Sequence, residues 1–220
     1  FSGLQDILIF SSILLFARVS YLIFDKNNRS LNLPLIFILL GIINLLCWFK
    51  NEGIFYSLFL LFSLLLNYKF SKNEKFYLVF GIFFIFLFRI ILFNYYNVDL
   101  NPDYFEMDKT ISLDFYLIMS KLKVVTFYLI VYLTQNPTYI ITFPLLAYII
   151  YKNSFQDLTK FILYFLILNL IFILLTYMFK MTEVELLIKA SMSRIIFQTS
   201  GLYFLILVFY INSYSKFKKK

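Results

Sequence analysis

Long apolar runs separated by short polar gaps set the pattern of this chain. A helix needs roughly 20 apolar residues to cross a bilayer. With only 5 Gly and 4 Pro in 220 residues, little in the chain would break such helices. The pattern predicts transmembrane helices over 7–24, 33–49, 54–68, 76–93, 138–151, 161–179 and 195–212. Several fall short of the full length, which calls for tilt or half-buried ends. Residues 111–133 read differently: Asp114 opens the stretch, and Lys121 and Lys123 interrupt its apolar character. That arrangement suits an interfacial amphipathic helix whose lysines snorkel, followed by an apolar piece that does not cross. A second amphipathic piece, 182–198, leads straight into the last run. The expected fold is therefore all-α: a polytopic transmembrane helix bundle of about seven spans plus two interfacial amphipathic helices, forming one membrane domain over 1–220. There is no internal repeat, no low-complexity segment and no soluble domain.

Composition makes lipid the solvent. The chain is 62% hydrophobic and 15% charged, with a mean hydropathy of +0.84; soluble domains are about 45–50% apolar and about 25% charged. Histidine is absent and Cys47 is the only cysteine. His/Cys metal sites, haem ligation by His, disulfides within the chain and His-based catalytic triads are excluded. Acid–base chemistry falls to carboxylates, Lys, Arg, Tyr or an oxygen-held metal. The sequence opens on Phe1 and enters an apolar run at once, so it reads as the C-terminal portion of a longer protein.

The net charge of +8 is explained by sidedness, not by nucleic acid. With seven crossings, loops 25–32, 69–75, 152–160 and 213–220 share one side and carry eleven Lys/Arg against three acids. Stretches 1–6, 50–53, 94–137 and 180–194 share the other, with seven Lys/Arg and nine acids. The positive-inside rule places the first set, including the C-terminus, in the cytoplasm. An integral protein of a bacterial inner (plasma) membrane is the expectation.

Residues 182–201, TEVELLIKASMSRIIFQTSG, keep charges beside a span, where they are costly. On a helix, Glu183, Ser191, Arg194 and Gln198 fall within an arc of roughly 80°. Glu185 and Lys189 lie on another face as an i,i+4 pair in the favoured order. A guanidinium at the membrane surface can grip a phosphate with two prongs; it can equally pair with Glu183 or snorkel to headgroups. In 98–109, VDLNPDYFEMDK, the acids Asp99, Asp103, Glu106 and Asp108 cluster. Oxygen donors suit a divalent metal, the one cofactor this chain would accommodate, although none is required. The spacing is not that of a calcium loop, and a solvated outer loop is the favoured reading. Arg89, within FLFRIILF, sits deeper in its span than Arg18. It would meet a lipid phosphate or an acid from elsewhere in the chain.

The stretch YMFKMTEVELLIKASMSRIIFQTSG resembles a C-terminal signature of bacterial GT-C-type membrane glycosyltransferases. Glu183 and Glu185 stand at its acidic positions, and Ser191, Arg194 and Gln198 keep its spacing. Met181, Leu186, Leu187, Ser193 and Gly201 depart from it. The missing His and Asp bear on acid–base roles, whereas the Arg and Ser of a binding role remain. A weaker likeness runs through LFNYYNVDLNPDYFEMDK to an outer loop of such enzymes. The resemblance implies transfer of a sugar from a polyprenyl-phosphate donor to an acceptor on the outer membrane face. It implies a lipid-phosphate site at Arg194, Ser191, Glu183 and Gln198, and a catalytic acid upstream of this chain. Membrane lipids and the lipid-linked sugar are the implied partners. Two other classes stay open. A transporter or lipid flippase would use Gly/Pro-broken spans, for which Gly41, Gly81 and Pro144 are the available positions. A non-catalytic subunit of a membrane complex would need no polar stripe.

Overall fold

The computed structural model describes residues 2–24, 32–68, 70–97, 115–151, 157–178 and 184–217. These residues form eight α-helices and no strand. They are α1 (Ser2–Phe24), α2 (Asn32–Phe49), α3 (Asn51–Asn67), α4 (Lys72–Tyr95), α5 (Phe115–Gln135), α6 (Pro137–Tyr151), α7 (Asp157–Met178) and α8 (Val184–Phe217). Helices α1, α4, α7 and residues 118–135 of α5 are each long and apolar enough to cross a membrane, and α2, α3 and α6 are shorter apolar helices. The chain thus has the make-up of an integral membrane protein.

Several helices begin earlier than their apolar runs, because polar first turns suit a helix start. In α4 the Ser71 hydroxyl accepts from the Glu74 N–H at 3.3 Å, and the Glu74 carboxylate accepts from the Ser71 N–H at 2.7 Å. This reciprocal cap satisfies two donors that a helix start leaves open. Pro137 opens α6, where a missing N–H costs nothing, and Asn136 Oδ1 accepts from the Thr138 N–H at 3.1 Å.

Helices α1, α2, α3, α7 and α8 form the centre. The first packs on α2 and α8, the third on α2 and α7, and α7 closes against α8. Ile9, Phe16, Leu39, Tyr56, Phe165 and Ile196 are fully or almost fully buried between them. Helices α5 and α6 flank α8, while α4 packs along α2 and reaches α3 through Arg89 and Asn51. The outer face of α4 shows Phe76, Phe80, Phe83 and Phe84. Such a face suits lipid, where apolar side chains gain nothing by turning inward.

One close approach shapes the site end. The turn from α2 to α3 is a single residue, Lys50, closed by the Gly53 N–H donating to the Lys50 carbonyl at 3.0 Å. A Cβ on Gly53 would lie 1.9 Å from the Leu46 carbonyl oxygen. Only glycine lets α3 start this close to α2, and the polar triplet Lys50–Asn51–Glu52 is held at that corner.

Two stretches differ from expectation. Residues 111–133 were expected to lie at the interface without crossing. The described part belongs to one continuous helix, α5, whose 118–135 segment is long and apolar enough to span. The reason is that Lys121 and Lys123 fall near its start, leaving twelve uncharged residues after them. The expected surface helix over 182–198 and the expected last span are one uninterrupted helix from Val184 onward.

The charge bias of the loops predicts opposite exposures for the two ends of α4. With Cys47 replaced by Ala, a cysteine at position 97 should react with an impermeant maleimide added to intact cells. A cysteine at position 72 should react only after lysis. The reverse labelling would overturn the assigned orientation.

Candidate functional site

Four helices bring polar side chains to one end of the bundle. Asp6, one turn into α1, is buried, 4% exposed. Its Oδ1 accepts from Lys50 Nζ and from Gln198 Nε2, both at 2.5 Å. Its Oδ2 lies 3.6 Å from Arg194 Nε. Gln198 is held from the other side, since the Tyr56 hydroxyl donates to its Oε1 at 2.9 Å. One carboxylate therefore ties α1 to the α2–α3 corner and to α8, with two cations around it.

Arg194 is only partly enclosed. Its side chain is 36% exposed, and its buried Nε makes no hydrogen bond despite the nearby carboxylate. Among the described residues, the Asp6 carboxylate is the one acid that its guanidinium meets. Ser191, one turn earlier, shares a hydrogen bond of 2.8 Å with the Tyr177 hydroxyl of α7 and donates to the Leu187 carbonyl.

Of the four residues predicted to share a face, the structure brings Ser191, Arg194 and Gln198 to one site. Glu183 lies outside the described residues, as do the metal candidates Asp99, Asp103 and Glu106, and Asp108. Among the described residues no group of three metal-binding side chains occurs. Among the described residues, the acid paired with Arg194 is Asp6, from a different helix.

Glu185 and Lys189 behave as a separate, exposed unit. Their ion pair measures 2.8 Å, and the Tyr128 hydroxyl of α5 donates to Glu185 at 2.5 Å. The hydrogen bond from Lys189, then that from Tyr128, holds the Glu185 carboxyl below its ordinary range.

Three site residues were missed by the sequence reading: Asp6, Lys50 and Glu52. Glu52 is half-buried in the first turn of α3. It makes no hydrogen bond or ion pair with the described residues. A usable signal existed, because all three residues fall in the stretches that the charge bias placed on the same side as 180–194.

Arg89 anchors α4 at the same end. It is 6% exposed and donates to Asn51 Oδ1 at 2.9 Å, with its guanidinium 4.8 Å from the Phe93 ring centre and 5.9 Å from that of Trp48. Of the two expected partners, a lipid phosphate or an acid, no acid meets it among the described residues; an amide oxygen and two aromatic faces do, and they stabilise a desolvated guanidinium.

The chain matches no family model, no curated protein and no solved structure.

Proposed function

We propose that this chain forms part of a membrane glycosyltransferase that uses a polyprenyl-phosphate-linked sugar, and that its polar end holds the lipid phosphate. The observation that carries the reading is that Arg194 and Lys50 share one bonded carboxylate, Asp6, while the Arg194 fork stays partly open. The phosphodiester of such a donor carries one negative charge, which would balance the single positive charge left by Lys50 and Arg194 against Asp6. Arg194 would bind two phosphate oxygens in its fork geometry, which lysine cannot reproduce. Lys50 and Gln198 keep Asp6 from neutralising that arginine fully, and Ser191, one turn away, would bond the phosphate by turning its hydroxyl from the Leu187 carbonyl. During transfer the sugar–phosphate bond breaks and charge grows on the departing phosphate, so a fixed guanidinium there stabilises the transition state.

The transporter alternative draws no support from the helices. Those containing Gly41, Gly81 and Pro144 run unbroken through these positions.

Binding tests the reading. The chain is reconstituted into nanodiscs doped with polyprenyl phosphate, and lipid retention is measured by native mass spectrometry against an uncharged polyprenol. Wild type should retain the phosphate form preferentially. Arg194→Ala should weaken retention at least about tenfold, Arg194→Lys should lie between, and Lys189→Gln should match wild type. Equal retention of polyprenol and polyprenyl phosphate by wild type would overturn the proposal.

A further inference from the structure

A second set of polar side chains lies inside the bundle, and the lipid-phosphate reading does not use it. Asn169 of α7 donates from Nδ2 to the Thr199 hydroxyl of α8 at 3.1 Å. The Tyr139 hydroxyl of α6 donates to the Ile196 carbonyl at 3.1 Å and lies 3.0 Å from the Thr199 oxygen. Tyr203 follows Thr199 by one helical turn, so both rise from the same face of α8. Its ring centre is 5.0 Å from that of Tyr139. On α7, Phe165 and Phe172 stand one turn to either side of Asn169, and the Tyr56 ring packs against both. Asn169, Thr199, Tyr139 and Tyr203 are each at most 2% exposed. Tyr203 lies nine residues beyond Arg194, about 14 Å along the helix and well away from the charged end.

Two atoms of this group have no hydrogen-bond partner, Asn169 Oδ1 and the Tyr203 hydroxyl. The first only accepts, whereas the second can donate and accept. An unpaired polar atom inside a bundle is costly, and lipid offers no partner. The residues that bear these atoms, and their neighbours Thr199 and Tyr139, are all uncharged. A bare cation would find no anion among them to offset its desolvation. Water fits, because it brings two donors and two acceptors and no charge.

We infer that an internal water molecule is bound at this point, donating to Asn169 Oδ1 and bridging it to the Tyr203 hydroxyl. Buried waters typically make about three hydrogen bonds to groups otherwise left unpaired. The Thr199 or Tyr139 oxygen supplies the third. The water joins α7 to α8 at the level where Asn169 already bonds Thr199 and where Tyr139 fastens α6. It needs no lipid phosphate and stays whatever the charged end binds.

Radiolytic labelling in nanodiscs tests the site. In a brief X-ray pulse, bound water yields hydroxyl radicals where it sits, and these oxidise the side chains they touch even far from bulk solvent. Mass spectrometry should find Tyr203 and Tyr139 oxidised, while Phe161, fully buried against Phe16 and Phe24, stays unlabelled. Asn169→Leu removes the acceptor and should bring the Tyr203 label down to that of Phe161. Tyr203→Phe deletes one oxygen and little volume, so it should fold even where Asn169→Leu does not. The Tyr139 label should then fall in the same way. Wild-type labels on Tyr203 and Tyr139 no higher than that on Phe161 would overturn the site, the result expected if Tyr203 bonds Asn169 directly. Labels that persist in both variants would overturn the roles of Asn169 and Tyr203 in holding the water.

Discussion

Replacing Asp6 by Asn is expected to destabilise the folded bundle by about 3–5 kcal/mol, the cost of leaving a buried charge without its partner. The substitution keeps the shape of the side chain and removes its charge. Lys50 and Arg194 are then left close together with no bonded anion between them, and the Lys50 side chain is only 12% exposed. Arg194 already reaches water in part, but Lys50 cannot do so without pulling the α2–α3 corner away from α1. Reversible unfolding in mixed micelles would measure the loss. Adding Lys50→Met to Asp6→Asn should return most of it, since one cation alone can be met by the remaining polar groups. Wild-type stability in Asp6→Asn alone would show that the cluster is better solvated than its burial indicates.

Gly53→Ala is the second large effect expected, about 3 kcal/mol, at the upper end of what overpacking costs. The added methyl would sit 1.9 Å from the Leu46 carbonyl oxygen, which is backbone and cannot rotate away. Relief requires α3 to withdraw from α2, opening the one-residue turn at Lys50. The same movement would carry Lys50 from Asp6 and Glu52 from its place beside Tyr56. Loss of stability should therefore be accompanied by loss of lipid-phosphate retention, measured in the same nanodiscs. A variant that melts with wild type and binds normally would contradict the close packing of this corner.

These two residues also show where sequence reasoning succeeds and where it stops. The positions of the helices were legible because apolar runs announce themselves one residue at a time. Their starts were misjudged by a few residues, as at Asn51 against 54 and Asp157 against 161, because a polar first turn looks like loop until its caps are seen. On α8, Ser191, Arg194 and Gln198 could be grouped because helical periodicity joins them. Asp6, Lys50 and Glu52 could not, since each is an isolated polar residue at the edge of its own apolar run. The hydrogen bond from Gln198 to Asp6 crosses 192 positions, and no local pattern encodes that pairing. What the sequence offered was the loop charge bias, which set the three stretches on one side. The step from one side to one site needed packing, and the packing depends on Gly53.

The length of α8 has a consequence for depth. Its 34 residues rise about 51 Å at 1.5 Å each, against about 30 Å of hydrocarbon. If Lys216 marks one edge of the oily layer, an upright helix meets the other edge about 20 residues earlier, near Ile196. Gln198 then lies just beneath that edge, and Arg194 and Ser191 lie just above it, at the level of the phosphates. The helix acts as a plumb line hung from its basic end, and the working level of the site is set by the thickness of the sheet it crosses. In a bilayer a few ångströms thicker, the same arginine would be drawn under oil. In a thinner one it would stand clear of the headgroups.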